Sequence, residues 1–120
     1  MPSLPTPSAQ DIYSRMRDLH WSSKEKANAR RAFDRALHRE LEATIREAKQ
    51  MAARIKEPDE LWELERYLTR RREEIDAKYE FKYSVLLLVL ADLVRKGSIN
   101  LDELQGLAED KLRIIRDHAQ

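Results

Sequence analysis

The three histidines, His20, His38 and His118, are the natural starting point for a catalytic or metal-binding reading, since imidazole serves as both acid–base group and metal ligand. They lie far apart in the chain. None has a second histidine at i, i+4, and none sits in a Glu-x-x-His pattern, so no helical face offers a ready metal site. Carboxylates are plentiful, but their pattern is that of exposed helix faces, and acid–base chemistry needs a cleft that shifts pKa values. Gly97 and Gly106 stand alone, so there is no glycine loop to cradle a phosphate. Cysteine is absent, which excludes disulfides, thiolate nucleophiles and cysteine-ligated metal. These residue types point away from an enzyme, with no cofactor and no metal expected.

Recognition chemistry is better represented. Trp62, one of two tryptophans, flanks an apolar helical stripe, the position of a core or interface anchor. Arg70-Arg71-Arg72 falls where that stripe passes from Leu68 to Ile75. A guanidinium there is either open to water or meets a carboxylate it can grip with two hydrogen bonds. Arg72 has two readings: a pair across a dimer axis, or an intrahelical pair with Asp76. Lys24 to Lys56 is basic, and Lys96-Gly97-Ser98-Ile99 superficially resembles a helix-turn-helix connection. Interleaved acidic residues and the lack of a basic–aromatic stacking pattern count against nucleic acid.

The elements that must position these residues are helical. The chain has 120 residues, 38% of them charged, with 2 glycines and 4 prolines, three of which fall in the first seven positions. That length suits one domain, and the net charge of +1 gives no global field for nucleic acid or membrane. No charged-then-apolar leader opens the chain, and Val85 to Ala91 is far shorter than the roughly 20 apolar residues of a membrane span. A soluble, cytoplasmic protein is expected.

Residues 1–20 read as an N-terminal extension, disordered or partly helical, in which Ser8 and Asp11 suggest a cap for Ile12, Met16 and Leu19. Ser22 and Glu25 form a better capping box, opening a helix expected over Lys24 to Lys56. Its stripe is Phe33, Leu37, Leu41, Ile45, Ala48, Ala52 and Ile55. Pro58 suits the first turn of a second helix, with Leu61, Leu64, Leu68, Ile75 and Tyr79 on one face. Lys24 to Lys56 holds ten basic and five acidic residues, whereas Glu57 to Glu80 holds five and nine. Opposite charge and a short turn predict an antiparallel hairpin, the stalk (21–80). Its narrow seams are too thin to stand alone, so a homodimer is expected, with Phe33, Ile45, Leu61 and Leu68 at the interface. In the head (81–120), Tyr83 to Lys96 reads as the most buried helix, stopped at Gly97. Asn100 and Glu103 open a last helix whose Leu101, Leu104, Leu107, Ala108, Leu112 and Ile115 face inward. The fold class is all-α: a long antiparallel helical hairpin plus a small helical head.

The order Trp21, Phe33, Ala36, Arg39-Glu40-Leu41, then Leu61-Trp62-Glu63-Leu64, Leu68 and Arg72 to Tyr79 resembles the fluorescence recovery protein family. So do Ser84-Val85, Gly97, Glu103-Leu104, Leu107-Ala108 and Asp110-Lys111. The resemblance implies a helical homodimer without cofactor. It further implies binding to the C-terminal domain of photoactivated orange carotenoid protein, speeding that protein's return to its orange form and ending phycobilisome quenching. It places functional roles on Trp62 and Arg72 at the dimer patch. Glu65-Arg66 stands where the family can show His-Asp, and Leu88 and Ile114 fall on head positions that contact the partner. The alternative is a dimeric helical adaptor of the same fold with a different protein client.

Overall fold

The Ser22 hydroxyl accepts the Glu25 N–H at 3.1 Å, and the Glu25 carboxylate accepts the Ser22 N–H at 3.0 Å. From this reciprocal cap α1 runs Ser23–Ala53, about 46 Å at 1.5 Å per residue. The computed structural model describes residues 14–120. Helix α2 is Pro58–Lys78, with Pro58 in its first turn and the Glu60 carboxylate accepting the Glu57 N–H at 3.0 Å. Helix α3 is Leu86–Arg95, a short 3₁₀ turn covers Leu101–Leu104, and α4 is Glu109–His118. All are helices, as the composition anticipates. The expected cap at Ser8 and Asp11 lies outside the described residues. Residues 14–17 are helical, and Met16 is buried in the core.

The first half of α1 supports the core. Ala29, Ala32 and Ala36, at spacings of three and four, are fully buried and form a smooth strip beside Phe33. The 3₁₀ turn at Leu101–Leu104 is the head element that lies against α1, and short side chains suit such close packing. Leu86, Leu87, Leu90, Ala91 and Leu93 of α3 join Ile99, Leu104, Leu107 and Ile115 in one cluster, the head. Between α2 and α3 the chain is irregular over 79–82 and turns at 83–85, and Tyr79, Phe81 and Tyr83 gather in one aromatic cluster with Phe33 and Trp21. Phe33 meets Tyr79 and Phe81 edge-on at 5.4 and 5.0 Å between ring centroids, and Trp21 meets Tyr83 at 5.3 Å. Such contacts add to burial and end α2 at Lys78 without a glycine or proline.

The second half of α1 faces α2. Lys78 pairs with Glu40, and the Arg71 guanidinium donates to the Thr44 hydroxyl at 3.4 Å. Partner numbers thus fall along α1 as they rise along α2. The charge asymmetry predicted basic α1 attracting acidic α2, but this ion pair runs the other way, with the lysine on α2. Local geometry outweighs the net charges because exposed charges are screened over about 10 Å.

The end of the chain departs from expectation. Gly97 does stop α3: at φ 77° it leaves its own N–H on Val94 O and the Ser98 N–H on Leu93 O at 2.9 Å. The single last helix predicted from Asn100 is instead broken between Gln105 and Ala108. Gly106 takes φ 109°, and a Cβ placed there would lie 1.7 Å from Asn28 Nδ2. Backbone contact with α1 is what the break secures, and Ala108, expected to face inward, is exposed. Gly106→Ala combines left-handed strain with a clash, so a loss of about 2 kcal/mol is expected. Adding Asn28→Gly should recover only part of it in urea unfolding, since the strain remains.

Candidate interaction surface

Five large apolar side chains, Leu41, Ile45, Leu61, Trp62 and Leu68, remain 43–56% exposed. On α2, at about 100° per residue, Leu61, Glu65, Leu68 and Arg72 fall within a narrow arc. That arc lies about a quarter-turn from the face that meets α1 through Arg71 and Lys78. With Trp62, Leu64 and Thr69 these residues line an open groove of about 550 Å³. On α1, Leu41 and Ile45 lie the same quarter-turn from Glu40 and Thr44. Because partner numbers run oppositely along the two helices, both quarter-turns lead to one side of the pair. The result is an apolar face spanning two helices, the kind of surface that marks a protein contact.

The arginine triplet divides over this surface. Arg71 bonds Glu74 at 2.8 Å, and Arg70 lies 4.0 Å from the same carboxylate. Among the described residues Arg72 makes no ion pair with Asp76 or any other acid, so its guanidinium stands in the groove with its donors available. Glu65, beside it, accepts the Thr69 hydroxyl at 3.1 Å. The groove therefore holds one cation and one anion in apolar walls, which suits a partner with an apolar ridge and a carboxylate near Arg72.

Not every predicted residue reaches this face. Phe33, expected at an interface, is 4% exposed and belongs to the head core, because the aromatic linker closes over it. Arg66 lies on another flank, with Glu47, Met51, Glu63, Tyr67 and Arg70. Leu88 and Ile114 are half-buried against the head core.

Two further sets of polar contacts, read from the sequence only as caps or surface charge, tie the head to α1. Arg39 grips Glu103 through both nitrogens at 2.7 and 3.0 Å and donates to the Ser98 carbonyl at 2.9 Å. The guanidinium holds the Glu103 carboxyl below its ordinary value. Near α2, burial first and then the Glu40 carboxylate push the Tyr79 phenol well up. The second tie is Glu25 with Lys111, 3.0 Å apart and both almost fully buried. Among the described residues no group of His, Cys, Asp or Glu could hold a metal, and no helix is long and apolar enough to cross a membrane.

Fold and surface together define a small helical protein that presents an apolar face spanning two helices. The family model for the photoprotection regulator fluorescence recovery protein matches residues 21–118. A curated relative, the fluorescence recovery protein of Synechocystis sp., is 37% identical over 96 residues, covering 80% of this chain and 88% of that protein. The solved structure of the Fremyella diplosiphon fluorescence recovery protein is similar with a TM-score of 0.78 at 41% identity, over 83% of this chain and 98% of that one. That of the Synechocystis protein matches with a TM-score of 0.79 at 36% identity and the same coverage. This chain belongs to the fluorescence recovery protein family.

Proposed function

We propose that the chain is a non-enzymatic, cytoplasmic regulator that binds photoactivated orange carotenoid protein through its C-terminal domain. Binding speeds the client's return to the resting orange state and so ends phycobilisome quenching. Family membership across 21–118 carries this reading. The exposed two-helix face supports its structural half. Helices α1 and α2 act as an antiparallel stalk, and a second copy covers Leu41, Ile45, Leu61, Trp62 and Leu68. Arg72 there meets a partner carboxylate.

The test mixes the full chain with isolated, photoactivated orange carotenoid protein and follows the absorbance of the orange form in the dark. Faster recovery is expected, and an unchanged rate across a wide range of ratios overturns the reading. A second reading keeps the fold and the dimer but gives the chain another protein client. Its motivation is the apolar, half-buried character of Leu88 and Ile114, together with Arg66. That reading gains ground where the chain dimerises yet leaves recovery unchanged.

A further inference from the structure

Glu25 does more than start α1. One carboxylate oxygen accepts the Ser22 N–H at 3.0 Å; the other accepts the Ala108 N–H at 3.0 Å and lies 3.0 Å from Lys111 Nζ. Lys111 also donates to the His20 carbonyl at 2.6 Å and sits 5.1 Å from the centre of the Trp21 ring. One turn along α1, Asn28 presses on the backbone of Gly106. Ala108 is the residue from which α4 starts, and Lys111 lies in its first turn. Residues 106–111 are thus seated on two successive turns of α1, and the direction of α4 follows from that seat. Helix α4 carries Ile114 and packs on α3, which carries Leu88.

We infer that Glu25 is a positioning residue. Through the Ala108 N–H and Lys111 it sets the course of α4, and with it the head surface bearing Leu88 and Ile114 that meets the client. The client half of this inference rests on the function proposed above and on the family resemblance that puts Leu88 and Ile114 at partner-contacting head positions; the seating of α4 does not. A buried ion pair adds little net stability over an apolar replacement of similar size. Its directionality is another matter: two N–H groups and one ammonium must converge on a single carboxylate, which admits one arrangement.

The experiment compares the full chain with Glu25→Gln and with Glu25→Gln/Lys111→Met, which removes both charges. Amide hydrogen exchange, oligomer mass, melting temperature and dark recovery of the orange carotenoid protein are read for each. In Glu25→Gln, exchange over residues 106–118 should rise by about tenfold, while the α1–α2 contact region and the oligomer mass stay unchanged. The double variant should regain most of the melting temperature, yet need severalfold more protein for half-maximal acceleration of recovery. It also carries the test if the single variant does not fold. Unchanged exchange over 106–118 overturns the seating. A double variant with full potency toward the client overturns the positioning role. Should the unmodified chain fail to accelerate recovery, the functional reading falls while the exchange data still decide the seating.

Discussion

Leu68→Glu is expected to abolish the proposed self-association while leaving the fold intact. Leu68 is 43% exposed in the single chain, so a carboxylate there costs the protomer almost nothing. In a two-fold dimer the same change appears on both sides of the axis. Each carboxylate would be taken out of water against Leu61, Trp62 and the partner's equivalent groove. A buried unpaired charge costs several kcal/mol, so a rise in the dimer dissociation constant of about a thousandfold or more is expected. Arg72 in the same groove moderates that penalty without cancelling it, because an intrahelical pair is worth only a few tenths of a kcal/mol. Light scattering over a concentration series checks the mass, and circular dichroism checks the helices. A variant that remains dimeric at micromolar concentration would place the interface elsewhere. One that melts much earlier would mean that Leu68 packs within its own chain.

Lys111→Met should be the most damaging single change in the head. It leaves the Glu25 carboxylate almost fully buried, with the Ser22 and Ala108 N–H groups but no countercharge. Losing one partner of a buried pair costs about 3–5 kcal/mol. In a chain of this size that corresponds to a drop in melting temperature of roughly 10–20 °C. The pair also predicts an acid dependence. Burial alone would raise the Glu25 pKa, but the Ser22 and Ala108 N–H groups and Lys111 together lower it from 4.5 to about 2. A depressed folded-state pKa means that the stabilisation is present above about pH 4.5 and is lost as the pH falls toward 2. The amount at stake is about 3 kcal/mol. Urea unfolding at neutral pH and near pH 3 should show about 2 kcal/mol of this loss in the native chain and a smaller one in Lys111→Met. Equal acid losses in both would assign the dependence to other carboxylates.

Local signals in the chain are legible because they depend only on neighbouring residues. Ser22 with Glu25, Pro58 at the start of α2 and Gly97 after α3 each meet a backbone requirement within one turn. The stripe from Phe33 onward looks in the sequence like one seam with one purpose. It serves two: Phe33 is sealed in the head, whereas Leu41 and Ile45 stay open. Helical periodicity identifies a face but carries no information about what covers it. Ala29, Ala32 and Ala36 have the same period, and only the structure shows that they are buried in the head core beside Phe33. Glu25 was legible as a cap, but its bond to a residue 83 positions away was not.

The candidate surface divides in the same manner. Trp62, Leu61 and Leu68 stood out by type and spacing, and the structure gathers them with Glu65 and Arg72 in one groove. Arg66 is adjacent in sequence yet turns to another flank, as a single step along a helix rotates a side chain by about 100°. The gap in the last helix was hidden because Gly106 looked like a lone glycine in a helical pattern. Its role depends on Asn28, far away in the chain.

By itself, the sequence determined that the protein is all-helical, where most helices begin and end, and to which family it belongs. These follow from propensity, capping and residue order. Tertiary structure decided which apolar faces close and which remain open, how the arginine triplet divides, and that Glu25 and Lys111 join the two ends of the domain. Burial and ion pairing are properties of residues brought together from distant points, and in a chain of similar helical stripes many such pairings satisfy the same local pattern.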